Sequence, residues 1–326
     1  MFEIDKQYTW LVTGAAGFIG SHIVEELLKQ NQKVVGLDNL SACGTKNLDI
    51  LYRDVPTQTW ANFVFKEGDI RDLDICQKAC IDVDFILHHA AIGSVPKSFE
   101  DPNLTDGVNV GGFLNVVKAG MDNNVKKFIY ASSSAVYGDY TEQPNKEDQP
   151  VKPLSPYAVS KYTNELYAQT LSTQTDMGFV GLRYFNVYGP RQDPNGAYAA
   201  VIPKWIDSMI KNDKVEIYGD GTAVRDFCFV KDVVRINICF ALQEHVKGSD
   251  AYNVASSQST TMMQLFSILA DLTNYEKSPK ILPQRQGDIK FSLANIHKIS
   301  ALISEPATGS LNDNLRTILK DMEIAC

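Results

Sequence analysis

The sequence has little that would point to a membrane, to secretion or to nucleic acid. None of its apolar stretches reaches the roughly 18 to 20 residues that a membrane span needs, and the first residues are acidic where a signal peptide would be basic. The 31 Lys and Arg residues are outnumbered by 39 Asp and Glu, and the formal charge is -8. No basic run marks a nucleic-acid surface. We therefore expect a cytoplasmic protein whose partners include neither membranes nor nucleic acids.

Cysteines are also few. The six in 326 residues are too scattered for a disulfide framework. Cys76 and Cys80, with His88 and His89 further along, raise the question of a zinc site. The two cysteines lie in a helical pattern, however, and the two histidines end an apolar strand pattern. We therefore expect no metal.

The sequence lacks an internal repeat, a low-complexity tract and a clear linker, and its length allows one or two domains. Up to Arg183, apolar strand patterns alternate with helical patterns, as a doubly wound parallel sheet requires. We predict an α/β protein with a Rossmann-type domain over residues 1–182, rejoined by about 226–256, and a smaller α/β domain over residues 183–326. The predicted strands of the first domain are Thr9 to Thr13, Val34 to Leu37, Phe63 to Glu67, Phe85 to His88, Lys127 to Ala131 and Gly178 to Arg183. Its predicted helices include Ile19 to Gln30, Leu73 to Ala79, Val108 to Met121 and Ser155 to Ser172.

A glycine-rich turn follows the first strand and opens the first helix. Gly14, Gly17 and Gly20 let the backbone turn and let a pyrophosphate approach the helix N-terminus. Glycines at this spacing also occur in ordinary turns, but the next strand ends at Asp38, where a dinucleotide fold places the acid that accepts ribose hydroxyls. A carboxylate there would repel a 2′-phosphate. We therefore predict bound NAD, with Phe18, Ile19 and Asn39 completing this part of its site.

Tyr157 and Lys161 lie four residues apart and share one face of a predicted helix. A free tyrosine has a pKa of about 10, but a nearby cation and the positive nicotinamide ring favour the phenolate. Such a pair also occurs on ordinary surface helices. Its conjunction with the glycine turn favours a catalytic base.

The strand that begins at Lys127 delivers three serines to its carboxyl end, where ligands of open α/β sheets bind. Ser133 is the predicted partner that passes a sugar hydroxyl proton to Tyr157. Ser132 and Ser134 are supporting candidates for substrate binding. A capped strand end is the simpler interpretation of any one of these serines taken alone, but their conjunction with the glycine turn, Asp38 and the Tyr157 and Lys161 pair favours the catalytic role.

These segments, in this order, resemble the extended short-chain dehydrogenase/reductase superfamily and, within it, the UDP-N-acetylglucosamine 4-epimerase branch of the nucleotide-sugar epimerases. The resemblance covers about Trp10 to Leu302. It is carried by Thr13 to Gly20, Gly68 to Ile70, His88 to Ala91, Ser132 to Gly138, Ser155 to Lys161, Leu182 to Arg191 and Asp193 to Pro203.

The resemblance implies roles for further residues. In the cofactor site, Asp69 and Ile70 would border adenine, Ala90 and Ala91 the phosphates, and Lys161 the nicotinamide ribose. In the substrate site, the implied residues are Asn186, Arg225 and Arg285 for the diphosphate, Ala200 and Val201 for uracil, Asp288 for the uridine ribose, and Ser292 for the hexose, together with Lys204 and Tyr218. The resemblance also implies a homodimer that pairs the helices Val108 to Met121 and Ser155 to Ser172.

The reaction so implied is the NAD-dependent conversion of UDP-GlcNAc to UDP-GalNAc through a 4-keto sugar. A UDP-glucose or UDP-hexuronic acid 4-epimerase would share nearly every residue. A 4,6-dehydratase needs an acidic pair where this chain has Ser134 and Ala135, which argues against elimination. A non-catalytic NAD sensor would be expected to lack the tyrosine or the lysine, and both are present.

Overall fold

The computed structural model describes residues 3–140, 142–194, 199–284 and 289–322. The chain divides into two compact units. The first comprises Met1–Val136, Pro153–Arg183 and Val234–Tyr252, and the second comprises Tyr137–Lys152, Tyr184–Val233 and Asn253–Cys326.

A seven-stranded sheet forms the centre of the first unit. Its strands are β1 (Thr9–Thr13), β2 (Lys33–Asp38), β3 (Phe63–Glu67), β4 (Phe85–His88), β5 (Lys127–Ser133), β6 (Gly178–Tyr184) and β11 (Ser249–Val254). Their order across the sheet is β11-β6-β5-β4-β1-β2-β3, and β1 to β5 are joined by parallel pairs. The order reverses between β1 and β4, and this is the switch point at which doubly wound sheets bind ligands. The predicted α/β Rossmann-type fold is therefore confirmed.

The helices of this unit connect its strands. They are α1 (Phe18–Lys29), α2 (Lys46–Asp54), α3 (Leu73–Ala79), α4 (Val95–Glu100), α5 (Pro102–Asp106), α6 (Phe113–Asp122), α7 (Pro156–Leu171) and α9 (Val230–Leu242), whose first residues belong to the second unit. The helix predicted over Val108 to Met121 is divided, because Gly107–Gly112 forms a π-helical segment and the α-helix begins only at Phe113. Three of the six residues in that segment are glycines, which weaken an α-helix.

Aromatic side chains fill the core on one side of this sheet. Phe113 packs edge-on against Phe128 and Tyr130, and Phe128 also contacts Phe179. All four side chains are at most 1% exposed. Cys76 and Cys80 lie in the same cluster, where burial raises the pKa of each thiol to about 12.

The second unit consists of short strands and helices. Its strands are β7 (Val187–Tyr188), β8 (Glu216–Tyr218), β9 (Val224–Asp226), β10 (Cys228–Phe229), β12 (Ser259–Thr261), β13 (Lys280–Leu282) and β14 (Phe291–Ser292). A three-stranded sheet has the order β12-β9-β14, and two two-stranded pairs are β10-β7 and β13-β8. The other helices are α8 (Val201–Ile210), α10 (Met262–Thr273), α11 (His297–Ser300) and α12 (Leu311–Asp321). Within the described residues, no helix combines the length and the apolar character that crossing a membrane requires.

Candidate active site

The glycine turn forms a tight cradle at the switch point of the sheet. Gly14 has φ +70°, and a Cβ there would lie 2.8 Å from the backbone nitrogen of Ala90. A Cβ on Gly20 would lie 2.1 Å from the carbonyl oxygen of Gly14. Gly17 is the N-cap of α1 and, having no side chain, satisfies none of the first N–H groups of the helix, whose first turn begins with Phe18 and Ile19. These features fit a dinucleotide pyrophosphate.

Asp38 ends β2 beside this cradle. Its carboxylate accepts from the backbone N–H of Ala16 at 3.0 Å and of Leu40 at 2.8 Å. Each oxygen keeps a lone pair. The two backbone bonds thus hold a half-buried carboxylate that has capacity left for ribose hydroxyls.

The predicted adenine-side residues lie near the ends of β2 and β3. The Asn39 amide donates to the Asp69 carboxylate at 3.0 Å. Arg71 donates to the same carboxylate through two guanidinium nitrogens, and these bonds hold the pKa of Asp69 well below its usual range. Ile70 is 5% exposed. Asp69 is thus held as an anion beside Asn39.

The loop after β4 carries Ala90 and Ala91, both half-buried. The backbone N–H of Ala90 donates to the Thr13 hydroxyl at 3.2 Å, and that hydroxyl also bonds His88 Nδ1 at 2.8 Å. The ends of β1 and β4 are thereby joined, so the loop is fixed next to Gly14.

Helix α7 presents the predicted base. Its N-cap is Ser155, whose hydroxyl accepts from the backbone N–H of Ala158 at 3.1 Å, and Pro156 occupies the first turn. Tyr157 therefore lies in the first turn, and Lys161 follows one turn later. The sequence spacing does place both side chains on one face.

The structure brings Ser133, Tyr157 and Lys161 together. The Ser133 hydroxyl lies close enough to the Tyr157 phenol to lower its pKa, and Lys161 Nζ lies 5.9 Å from the centre of the tyrosine ring. Lys161 also donates to the Ala131 carbonyl at 2.8 Å. The three predicted catalytic side chains thus form one cluster at the carboxyl end of β5.

Burial is the largest influence on the pKa values of Tyr157 and Lys161. Burial raises the pKa of Tyr157, and the Ser133 hydrogen bond opposes that rise. Burial also lowers the pKa of Lys161 to about 8. In the protein by itself the phenol is therefore the favoured form at neutral pH, and a further positive charge is needed to stabilise the phenolate.

The other two serines differ in their surroundings. Ser132 is 2% exposed, and its hydroxyl donates to Glu165 at 2.5 Å. Ser134 is half-buried and begins a short 3-10 helix. The hydroxyl proton of Ser132 is thus directed into the protein.

Sequence reasoning missed a buried amide that links the cofactor loop to α7. The Asn109 side chain accepts from the Ile92 N–H at 2.8 Å and donates to the Ser160 hydroxyl at 3.0 Å. Ser160 donates in turn to the carbonyl of Tyr157 at 2.8 Å. A signal was available in the sequence, because Asn109 lies in a predicted helix that glycines interrupt. Such an interruption can mark a π segment, and π segments occur often at functional sites.

Three of the predicted substrate residues lie around β9 of the second unit. Asn186, at φ +31°, donates through its side chain to the Asp226 carbonyl at 2.9 Å. Arg225 pairs with Ser292 in the parallel register of β9 and β14. The arginine and the small residue that the resemblance assigns to the substrate are therefore neighbours.

The remaining predicted substrate residues are distributed over the second unit. Ala200 caps the N-terminus of α8, Val201 begins that helix and Lys204 is exposed in its first turn. Tyr218 ends β8, and its hydroxyl donates to Glu216 at 3.4 Å. Arg285 and Asp288 lie outside the described residues.

The first-unit cluster can perform proton transfer. The phenol, the serine hydroxyl and the ammonium offer a general base, a relay and a positive charge. Their placement beside a cradle for a dinucleotide suits oxidation of a secondary alcohol.

Residues 10–255 match the family described as NAD dependent epimerase/dehydratase. The chain is 35% identical over 315 residues to a putative UDP-glucose 4-epimerase of Methanocaldococcus jannaschii, and the match covers 96% of this chain and 98% of that protein.

Two solved structures are similar over nearly their whole lengths. One is a UDP-N-acetylglucosamine 4-epimerase from Methanobrevibacter ruminantium M1 in complex with UDP-N-acetylmuramic acid. It has 38% identity and a TM-score of 0.90, and the match covers 98% of this chain and 99% of that one. The other is a Thermus thermophilus UDP-glucose 4-epimerase in complex with NAD. It has 33% identity and a TM-score of 0.84, and the match covers 98% and 100% of the two chains.

Proposed function

The chain belongs to the NAD dependent epimerase/dehydratase family, it is an NAD-dependent nucleotide-sugar epimerase, and we propose that it interconverts UDP-GlcNAc and UDP-GalNAc by inversion at C4. The observation that carries the C4 chemistry is the cluster of Ser133, Tyr157 and Lys161. We propose that the first unit holds NAD and that the second holds most of the UDP-sugar.

NAD, held by the glycine turn at Gly14 and by Asp38, would supply the acceptor for hydride from C4 and the donor for its return to the opposite face of the ring. Tyr157 takes the proton of the 4-hydroxyl, and the Ser133 hydroxyl holds that oxygen and shares the proton. Lys161 keeps positive charge near the phenolate. After the 4-keto sugar turns over, Tyr157 gives the proton back. The cycle leaves both residues in their starting state.

The choice of an N-acetylated sugar rests on Ser292. This half-buried side chain lies in β14 opposite Arg225, the proposed diphosphate ligand. A serine next to the sugar leaves room for an acetamido group, whereas an aromatic residue would crowd it. Asn186, Ala200, Val201, Lys204, Tyr218, Arg285 and Asp288 complete the proposed site for the UDP portion.

We also propose a homodimer. Helices α4 and α5 pack against α7, and this part of the first unit exposes large apolar side chains. They are Val95, Phe99, Leu104, Val159, Leu166 and Tyr167, each between 38% and 62% exposed. Several exposed large apolar side chains on helices that pack together are typical of a subunit interface. A second copy of the chain would cover it through α7, as the resemblance implies, together with α4 and α5, since the segment Val108 to Met121 contributes none of these exposed side chains.

The test is a panel of UDP-GlcNAc, UDP-GalNAc, UDP-glucose and UDP-glucuronic acid, with products identified by NMR. We expect conversion of the two N-acetylhexosamines into each other. UDP-glucose 4-epimerisation is the second candidate, because the M. jannaschii relative carries that name. Turnover of UDP-glucose or the uronic acid alone would reject the N-acetylhexosamine assignment.

A further inference from the structure

Three side chains on one face of α7 contact the end of β5. Tyr157, Lys161 and Glu165 follow one another at intervals of four residues, so they lie along a single helical stripe. Tyr157 lies close enough to the Ser133 hydroxyl for that hydroxyl to lower its pKa. Lys161 donates to the Ala131 carbonyl and Glu165 accepts from the Ser132 hydroxyl. Only the first two belong to the proposed chemistry. Glu165 has no part in it.

Glu165 is held by an arginine from the neighbouring strand. Arg183 Nε donates to Glu165 Oε1 at 2.9 Å, and Nη2 donates to Oε2 at 2.7 Å. The two residues are 5% and 8% exposed. A buried carboxylate needs such a partner to remain ionised, and the two-pronged geometry fixes its plane. The carboxylate is therefore a rigid acceptor.

Ser132 is the one residue of β5 that this acceptor contacts by a side-chain hydrogen bond among those described. The bond from Ser132 Oγ to Glu165 Oε1 measures 2.5 Å, within the range of strong bonds from a hydroxyl to a carboxylate. It fixes the rotamer of Ser132 and the backbone at that position. Ser133 is the next residue, so its hydroxyl extends from a backbone that can move little.

We propose that Ser132, anchored by the buried Glu165 and Arg183 pair, is a positioning residue that holds the Ser133 hydroxyl on Tyr157. The inference rests on the proposed function, because it assigns a supporting role within that catalytic cluster. It also gives Ser132 a role other than contact with the substrate.

A positioning role for Ser132 has a consequence that a merely structural serine would not have. The Ser133 hydrogen bond lowers the pKa of Tyr157, so a displaced Ser133 hydroxyl raises it. A higher pKa of Tyr157 means that more alkaline solution is needed to form the phenolate, so kcat begins to rise at a higher pH than in the wild type. The other titratable and charged groups around the cluster are Lys161 and Glu165 on α7, Arg183 on β6, Tyr130 on β5, and His88 and His89 at the end of β4. Of these, only Glu165 loses a hydrogen bond when Ser132 is substituted, and Arg183 still pairs its charge.

The experiment compares Ser132→Ala with the wild-type holoenzyme on the UDP-sugar that the wild type converts. We expect kcat to fall about 10 to 100-fold, the range that a displacement of about 1 Å can produce, with KM close to wild type and a lower thermal midpoint, because a buried hydrogen bond to a carboxylate is lost. The rising limb of the pH profile of kcat should move to higher pH, as it should in Ser133→Ala. Ser98→Ala is the matched control, since Ser98 is also buried and donates to the Val95 carbonyl at 2.6 Å.

A second measurement uses Glu165→Met/Arg183→Met, which removes the pair without leaving one charge buried. If the pair acts through Ser132, adding Ser132→Ala to this variant lowers kcat no further. Independent, multiplying losses contradict the proposal, as does a Ser132→Ala enzyme with the wild-type kcat and pH profile. A wild-type protein that epimerises no UDP-sugar would instead reject the proposed function.

Discussion

Burial and the Ser133 hydroxyl have opposite effects on the pKa of Tyr157, the proposed base. Burial disfavours the phenolate of Tyr157 and the ammonium of Lys161 alike, and Ser133 is the side chain that opposes the effect on the tyrosine. Substituting Tyr157 and Ser133 one at a time therefore tests the proposed proton-transfer role of each.

Tyr157→Phe should fold and bind the UDP-sugar but lose most of its turnover, because the ring remains and the proton acceptor is gone. Ser133→Ala should lose less, about 10² to 10⁴-fold in kcat. Steady-state kinetics on the purified variants measure both losses. Tyr52→Phe is the control, since Tyr52 is 61% exposed and lies outside both the cluster and the proposed subunit interface. Near-normal activity of Tyr157→Phe would show that another group is the base.

Lys161 makes stability depend on pH. Its pKa falls from 10.5 in the unfolded chain to about 8 in the folded protein. Between these values the unfolded state binds more protons, so the free energy of unfolding rises with pH. Lys161→Met lacks this contribution. The free energy of unfolding of the wild type minus that of the variant should therefore increase by up to about 3 kcal/mol from pH 8 to 10.5. Urea titrations across that range measure it, and a constant difference would contradict the assignment.

Ser292→Tyr should reduce kcat/KM for UDP-GlcNAc far more than for UDP-glucose, because the larger side chain clashes only with the acetamido group. A pocket difference of this kind changes relative kcat/KM by roughly 10 to 200-fold. Phe291→Tyr is the control in the same strand. Equal losses for both sugars would remove Ser292 from the acetamido pocket.

The elements of the first unit were largely predictable from local pattern. The predicted strands β1, β3 and β4 have the observed bounds, and α1 and α7 differ from the prediction by only one residue at each end. The bounds of these strands and helices follow from apolar runs and a glycine turn that are visible in the sequence itself. The π segment at Gly107–Gly112 was missed because its glycines only weaken a helix, and the bonds of buried Asn109 to other segments are not visible in the sequence.

The second unit was less predictable for a related reason. Strands such as β9 and β14 have only two or three residues, too few to show a period, and they form because distant segments pair. The role of Ser132 was open as well, since three consecutive serines look alike until the helix opposite them is known. Only the position of Glu165 distinguishes it.

Helix α7 should also carry the subunit interface. Leu166→Glu places a charge in the exposed apolar surface formed with α4 and α5, and we expect it to convert a dimer into a monomer at micromolar concentration. Light scattering measures the mass. Gln169→Glu adds the same charge on the same helix and should leave the dimer intact. A wild-type protein that is monomeric, or a Leu166→Glu protein that stays dimeric, would place the interface elsewhere or remove it.

In the molecule as a whole, we assign NAD to the first unit and most of the sugar nucleotide to the second. The cofactor cradle and the proton-transfer cluster lie in one unit. Asn186, Arg225 and Ser292 lie in the other. Binding energy from the UDP portion can then hold the substrate while the hexose stays free to turn.

The proposed reaction oxidises C4 and reduces it again with a cofactor that never leaves. Its sharpest test is conversion of UDP-GlcNAc carrying deuterium at C4, in ordinary water, followed by NMR of the product. We predict UDP-GalNAc that retains deuterium at C4. Product with hydrogen from the solvent at C4, or no epimer from UDP-GlcNAc, would contradict this mechanism.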